Sequence, residues 1–156
     1  QQTPSISVTG SDGRAISPSN YTVSYGGGRK DVGRYEVRIS FKGNYAGTVS
    51  KTFDITPKGT SLSKLKKARK GFTAKWKAQK KQTSGYEIQY STDKKFEKSV
   101  KTKNVKKNKT VSVKVGKLKA KKKYYVRVRT YKNVKVNGKS QKIYSGWSKA
   151  KSVKTK

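Results

Sequence analysis

Between Tyr124 and Arg129 the chain alternates Tyr124, Val126 and Val128 with Tyr125, Arg127 and Arg129, so one side of the segment is apolar and the other is not. A period of two gives each set its own face of a β-strand, whereas a helix would need a period of 3.6. The same alternation returns at Phe72, Ala74 and Trp76, at Tyr86, Ile88 and Tyr90, and at Val111, Val113 and Val115. Upstream it recurs at Ile6 and Val8, at Tyr21, Val23 and Tyr25, at Tyr35, Val37, Ile39 and Phe41, and at Val49, Phe53 and Ile55. No stretch carries helical periodicity, so the expected fold class is all-β, with "GGGRKDVG" as a glycine-rich turn between strands. Tyr125, Tyr131 and Tyr144 are expected to face outward, where they can stack on sugar rings or pack across strands.

A chain of 156 residues has room for one ordinary domain or two small ones, and "TPKGTS", Thr56 to Ser61, supplies the Pro and Gly punctuation of a boundary. Charge divides at the same place. Residues 1–57 hold seven basic and four acidic side chains, leaving thirty-four basic and three acidic for residues 58–156. The expected modules are therefore 1–57 and 58–156, and nearly all of the formal +34 belongs to the second.

That charge is carried by thirty-four Lys and only seven Arg. Arginine's planar fork reads bases and phosphates bidentately, while lysine is a hydrated point charge. The balance suits diffuse attraction to a polyanion better than reading of a nucleic-acid sequence. With no His, Cys or Met and seven carboxylates in all, the side chains of metal centres, thiol chemistry and paired acid–base sites are scarce. No catalytic, cofactor or metal site is expected. No apolar run approaches the roughly 20 residues of a membrane span. The chain begins at Gln1 rather than Met, which points to processing or truncation.

Two resemblances sharpen this reading. "YTVSYGGGRKDVGRYEVRISFKGNYAGTVSKTFDI" resembles along its length the bacterial Ig-like repeats of the MBG or YDG type found in surface proteins of Gram-positive, often gut-dwelling, bacteria. The resemblance covers most of residues 3–55, without the strand that usually precedes the one at Ile6, so the unit reads as N-terminally truncated. Residues 60–156 resemble a fibronectin type III domain. Trp76 matches the tryptophan of its second strand, Tyr86 to Tyr90 its aromatic third strand, and Trp147-Ser148 a common pair on its last strand. Leu118, six residues before Tyr124-x-Val126-x-Val128, matches its tyrosine corner, although "KAKKK" replaces the usual Pro-Gly. Together these imply two tandem Ig-like β-sandwich modules.

The expected function is that of a non-catalytic secreted or wall-associated module acting in adhesion, spacing or host interaction. Its lysines would attract anionic wall polymers such as teichoic acid, or acidic glycans. A soluble ligand binding a host surface protein is one alternative, and a nucleic-acid-binding protein, disfavoured by the scarcity of Arg, is another. The candidate partner surface comprises Lys119, Lys121, Lys122, Lys123, Arg127, Arg129 and Trp147. In it Trp147 is expected to stack between the two arginines as a cation–π ladder.

Overall fold

The structure is a computed structural model that describes all residues, Gln1–Lys156. The chain divides into two compact units, Gln1–Ile55 and Thr56–Lys156.

In the first unit β1 (Tyr21–Tyr25), β2 (Gly33–Phe41) and β3 (Thr48–Ile55) form one antiparallel sheet in the order β1-β2-β3. Its core face buries Tyr21, Val37 and Ile39, and Tyr25 meets Phe53 edge-on at 6.3 Å. Gly28, in the turn between β1 and β2, adopts a φ of +74°, the left-handed region that glycine enters without a Cβ clash. The strand expected at Ile6 and Val8 does not form. Val8 instead accepts a backbone bond from Ile16, and Gly10 donates to Arg14, so residues 8–16 fold back on themselves. This local pairing engages the backbone of Val8, Gly10, Arg14 and Ile16 with one another and not with the sheet. The unit thus has a single sheet where two were expected, and Val49 is 39% exposed rather than covered.

The second unit is a two-sheet sandwich. One sheet contains β4 (Leu62–Ala68), β5 (Gly71–Trp76) and β8 (Ser112–Val115). The other runs β10-β9-β6-β7, with β6 (Gly85–Ser91), β7 (Lys101–Val105), β9 (Lys123–Val136) and β10 (Lys139–Tyr144), while β11 (Lys151–Lys154) also pairs with β9. The alternating apolar sets converge between the sheets: Phe72, Ala74 and Trp76 meet Tyr86, Ile88, Tyr124, Val126 and Val128. Trp76 lies 5.3 Å from the Tyr86 ring, and its buried Nε1 finds no acceptor. The Tyr86 hydroxyl donates to the Asn108 carbonyl at 2.8 Å and accepts from the Gln79 amide, tying two loops to the core.

At the open edge, Lys103 of β7 sits opposite Ile88 and so shares the core-facing side. Its ammonium reaches the Lys114 carbonyl of β8 at 2.9 Å. An inward-pointing charge of this kind discourages strand-to-strand association at a free edge.

"KLKAKKK" forms the corner before β9. Leu118 is buried, and the Tyr124 hydroxyl accepts the Lys119 amide at 3.3 Å, the geometry of a tyrosine corner. β9 extends well past the alternating core, to Val136, because Asn137 and Gly138, with φ of 50° and 76°, turn it into a hairpin with β10. An Asn-Gly pair is the favoured sequence for such a tight turn.

Candidate functional site

On its flank away from β6, β9 pairs with β11 through Val126 and with β10 from Tyr131 onward. The gap between them is filled by two serines of the connecting segment. Ser148 donates its amide to the Val128 carbonyl at 2.8 Å, and its hydroxyl accepts the Val128 amide at 3.1 Å. Ser145 makes the same two contacts with Thr130, each at 3.1 Å. These paired bonds fix Gly146 and Trp147 between them and hold the indole over the outward face of β9.

There the expected ladder is present, and it is longer than foreseen. The Arg127 guanidinium lies 4.2 Å from the Phe96 ring and 4.6 Å from Trp147. Arg129 lies 4.2 Å from Trp147 and 3.7 Å from Tyr144. Five side chains therefore stack in the order Phe96, Arg127, Trp147, Arg129, Tyr144. Trp147 precedes the last strand instead of lying within it.

The edges of both guanidinium groups are also engaged. Arg129 donates from Nε and Nη2 to Glu87 Oε1 at 2.9 and 2.6 Å, and Arg127 donates likewise to Gln89 Oε1 at 3.0 and 2.7 Å. Glu87 is nearly buried, so Arg129 neutralises a charge that would otherwise be costly inside the sheet. Arg127 has only an amide acceptor. Burial, and then the charge of Arg129, lower its pKa. Burial and the nearby Glu87 raise the phenol pKa of both Tyr131 and Tyr144.

Tyr131, expected to face outward, is buried instead. Gly85 opposite it has no side chain, and the ring lies across that space to bring its hydroxyl 3.4 Å from the Val105 carbonyl. Tyr125 remains half-exposed, with the Lys123 ammonium 5.4 Å from its ring.

Phe96 is the rung that alternation had no means to reveal, since it comes from the loop between β6 and β7. The Asp93 carboxylate organises that loop by accepting the amides of Lys95, Glu97 and Lys98 at 3.0, 2.8 and 3.2 Å. These bonds, the one from Lys95 foremost, hold the Asp93 pKa below the ordinary aspartate range. A depressed carboxylate contributes stability above its unfolded pKa and loses it as pH falls through the folded one. The amide resonances of residues 95, 97 and 98 are thus expected to titrate together below about pH 4. A shared midpoint at or above that value would mean that the carboxylate is not bonded to the loop.

Of the four candidate lysines, Lys119 and Lys122 border one cavity, whereas Lys123 turns toward Tyr125. Lys121 lies at the exposed tip of the corner, with a φ of 51°. No cluster of three or more His, Cys, Asp or Glu is placed to hold a metal ion, and no helix is long and apolar enough to cross a membrane.

The two-sheet core, tyrosine corner and stacked outer face define an Ig-like β-sandwich module. More narrowly, residues 56–146 match the fibronectin type III domain, and the chain belongs to that family, whose domains commonly bind or scaffold. Among solved structures, the chain is similar to the chicken CNTN1 FN1-FN3 domains, at 18% identity and a TM-score of 0.52 over 80% of this chain and 43% of that one. It thus spans less than half of that structure, and the likeness is one of fold alone. Weaker similarities link it to titin domains A168-A170 and to a β-1,2-glucanase from Parabacteroides distasonis. Each has 17% identity and a TM-score of 0.44, and they cover 90% and 76% of this chain and 51% and 17% of those chains. No curated protein matches the chain.

Proposed function

We propose that this chain is a non-catalytic binding module of an exported bacterial surface protein, held to anionic wall polymers or acidic glycans by the lysines of its second unit. The observation that carries this reading is the single sign of the surface. Every lysine from residue 58 onward is exposed except Lys132, which is half-buried. Of the three carboxylates in that unit, Glu87 is paired to Arg129 and Asp93 is engaged by backbone amides. Little negative charge is left to balance the lysines, so a polyanion gains by releasing counterions when it binds. The likeness of residues 21–55 to MBG or YDG repeats supports an exported, Gram-positive setting, as would an export signal or further repeats in the complete gene.

The test is retention on immobilised poly(glycerol phosphate), DNA and neutral polysaccharide as salt rises. Retention on poly(glycerol phosphate) is expected at 50 mM salt and should fall by orders of magnitude by about 500 mM, with none on neutral polysaccharide. Retention on the neutral polymer that survives high salt, or no retention on the phosphate polymer at low salt, would sink the reading. Tighter retention on DNA at every salt concentration would favour the nucleic-acid alternative.

A further inference from the structure

The lysine surface has concave places, and one of them is bordered by four lysines. A cavity of about 410 Å³ opens at the end of the sandwich, bordered by Lys101, Lys117, Lys119, Lys122, Tyr90 and Tyr124. Its rim comes from two loops, the β6–β7 connection and the β8–β9 corner, which also bring the hydroxyl-bearing Thr92 and Ser99 to it. No carboxylate borders it. We infer that this cavity is a discrete site for a phosphodiester group carried on a small polyol that bears no base, the repeating chemistry of a wall polymer.

Three observations converge on it. Four lysines border one hollow with no carboxylate among them, so an anion lying there would be attracted by all four. Both rim loops are built to hold their shape. Asp93 knots the first, Ser91 donates its hydroxyl to the Lys98 carbonyl at 2.6 Å, and the amide of Lys119 is fixed on Tyr124.

Ser99, Lys117 and Lys121 also hold φ of 53°, 58° and 51° on these loops, a left-handed conformation unfavourable for residues with a Cβ.

The third observation concerns the kind of anion. Tyr124 is buried and Tyr90 half-buried, so neither presents a fully exposed ring on which a base would stack. The Tyr90 phenol is a neutral donor at physiological pH, as any phenol of ordinary pKa is. A tetrahedral oxyanion with a polyol tail fits these donors.

The site rests on the polyanion reading given above, and the experiment separates the two. Binding of a short poly(glycerol phosphate) oligomer to the full chain is measured by calorimetry for wild type, for Lys101→Gln/Lys122→Gln, and for Lys64→Gln/Lys66→Gln on β4. Both variants lose the same formal charge at exposed positions, and circular dichroism checks that each is folded. The cavity pair is expected to weaken binding about tenfold, and the β4 pair less than twofold. Equal losses would overturn the site while leaving diffuse attraction intact, and no binding by wild type would overturn both. A cavity pair that weakens DNA binding as much as oligomer binding would also overturn it, since the site would then not select a phosphate-linked polyol.

Discussion

Gly85→Ala is expected to destabilise the second unit by about 3 kcal/mol or more, enough to leave much of it unfolded. A Cβ at this position would lie 2.1 Å from the Val105 carbonyl oxygen and 2.7 Å from the Tyr131 hydroxyl. The first contact is with backbone of β7, the second with a buried ring, and neither neighbour is free to swing aside. β6 lies between β7 and β9 in the same sheet, so moving it would disturb pairing on both flanks. The same displacement would shift Glu87 and Gln89, two and four residues along, and so disturb both arginines of the stack. Gly146→Ala makes the control, since a Cβ there meets nothing within 4 Å although the residue adjoins Trp147. Urea denaturation should place the control within about 0.5 kcal/mol of wild type. A Gly85→Ala protein as stable as the control would show that Tyr131 does not lie across that position.

What alternation reveals is the side of a strand a residue occupies, and this was enough for the second unit. Phe72, Ala74, Trp76, Tyr86, Ile88, Val126 and Val128 all lie in the core their spacing implied. Arg127 and Arg129 lie opposite it, as their alternation implied, with Trp147 between them, as the fibronectin type III resemblance of the last strand implied. Spacing is silent about which backbone groups find which partner. Ile6 and Val8 keep their alternation, half-buried against exposed neighbours, yet form no strand, and from Val8 the chain pairs with itself as far as Ile16.

Tyr131 shows a second kind of limit. Its parity puts it on the outward face, but whether that face is open there depends on the absent side chain of Gly85, one strand away. Phe96 and the lysine cavity depend on loop conformation, which has no period to read. By contrast, the β9–β10 hairpin was written locally, in Asn137-Gly138 between alternating residues, and required only that the pair be noticed.

The second large effect concerns the ion pair inside the stack. Arg129→Ala is expected to cost about 3 to 5 kcal/mol, because it leaves the Glu87 carboxylate nearly buried without its cation and removes one layer between Trp147 and Tyr144. Glu87→Gln keeps an acceptor for the guanidinium but leaves two uncompensated cations stacked about Trp147, so a smaller loss of about 1 to 2 kcal/mol is expected. Removing both charges in Glu87→Leu/Arg129→Met should restore much of the stability lost in Arg129→Ala, since an apolar pair of similar size carries no desolvation cost. A double mutant no more stable than Arg129→Ala would mean that charge compensation is not the main contribution of Arg129.

The near-UV circular dichroism difference between each variant and its Trp147→Phe counterpart follows the stack, and poly(glycerol phosphate) binding measured on the same variants separates architecture from recognition. Arg129 is already neutralised by Glu87, so the double mutant should bind the polymer within about twofold of wild type while its aromatic signal changes. A large loss of binding in that variant would move the recognition surface from the lysines to the stacked face of β9.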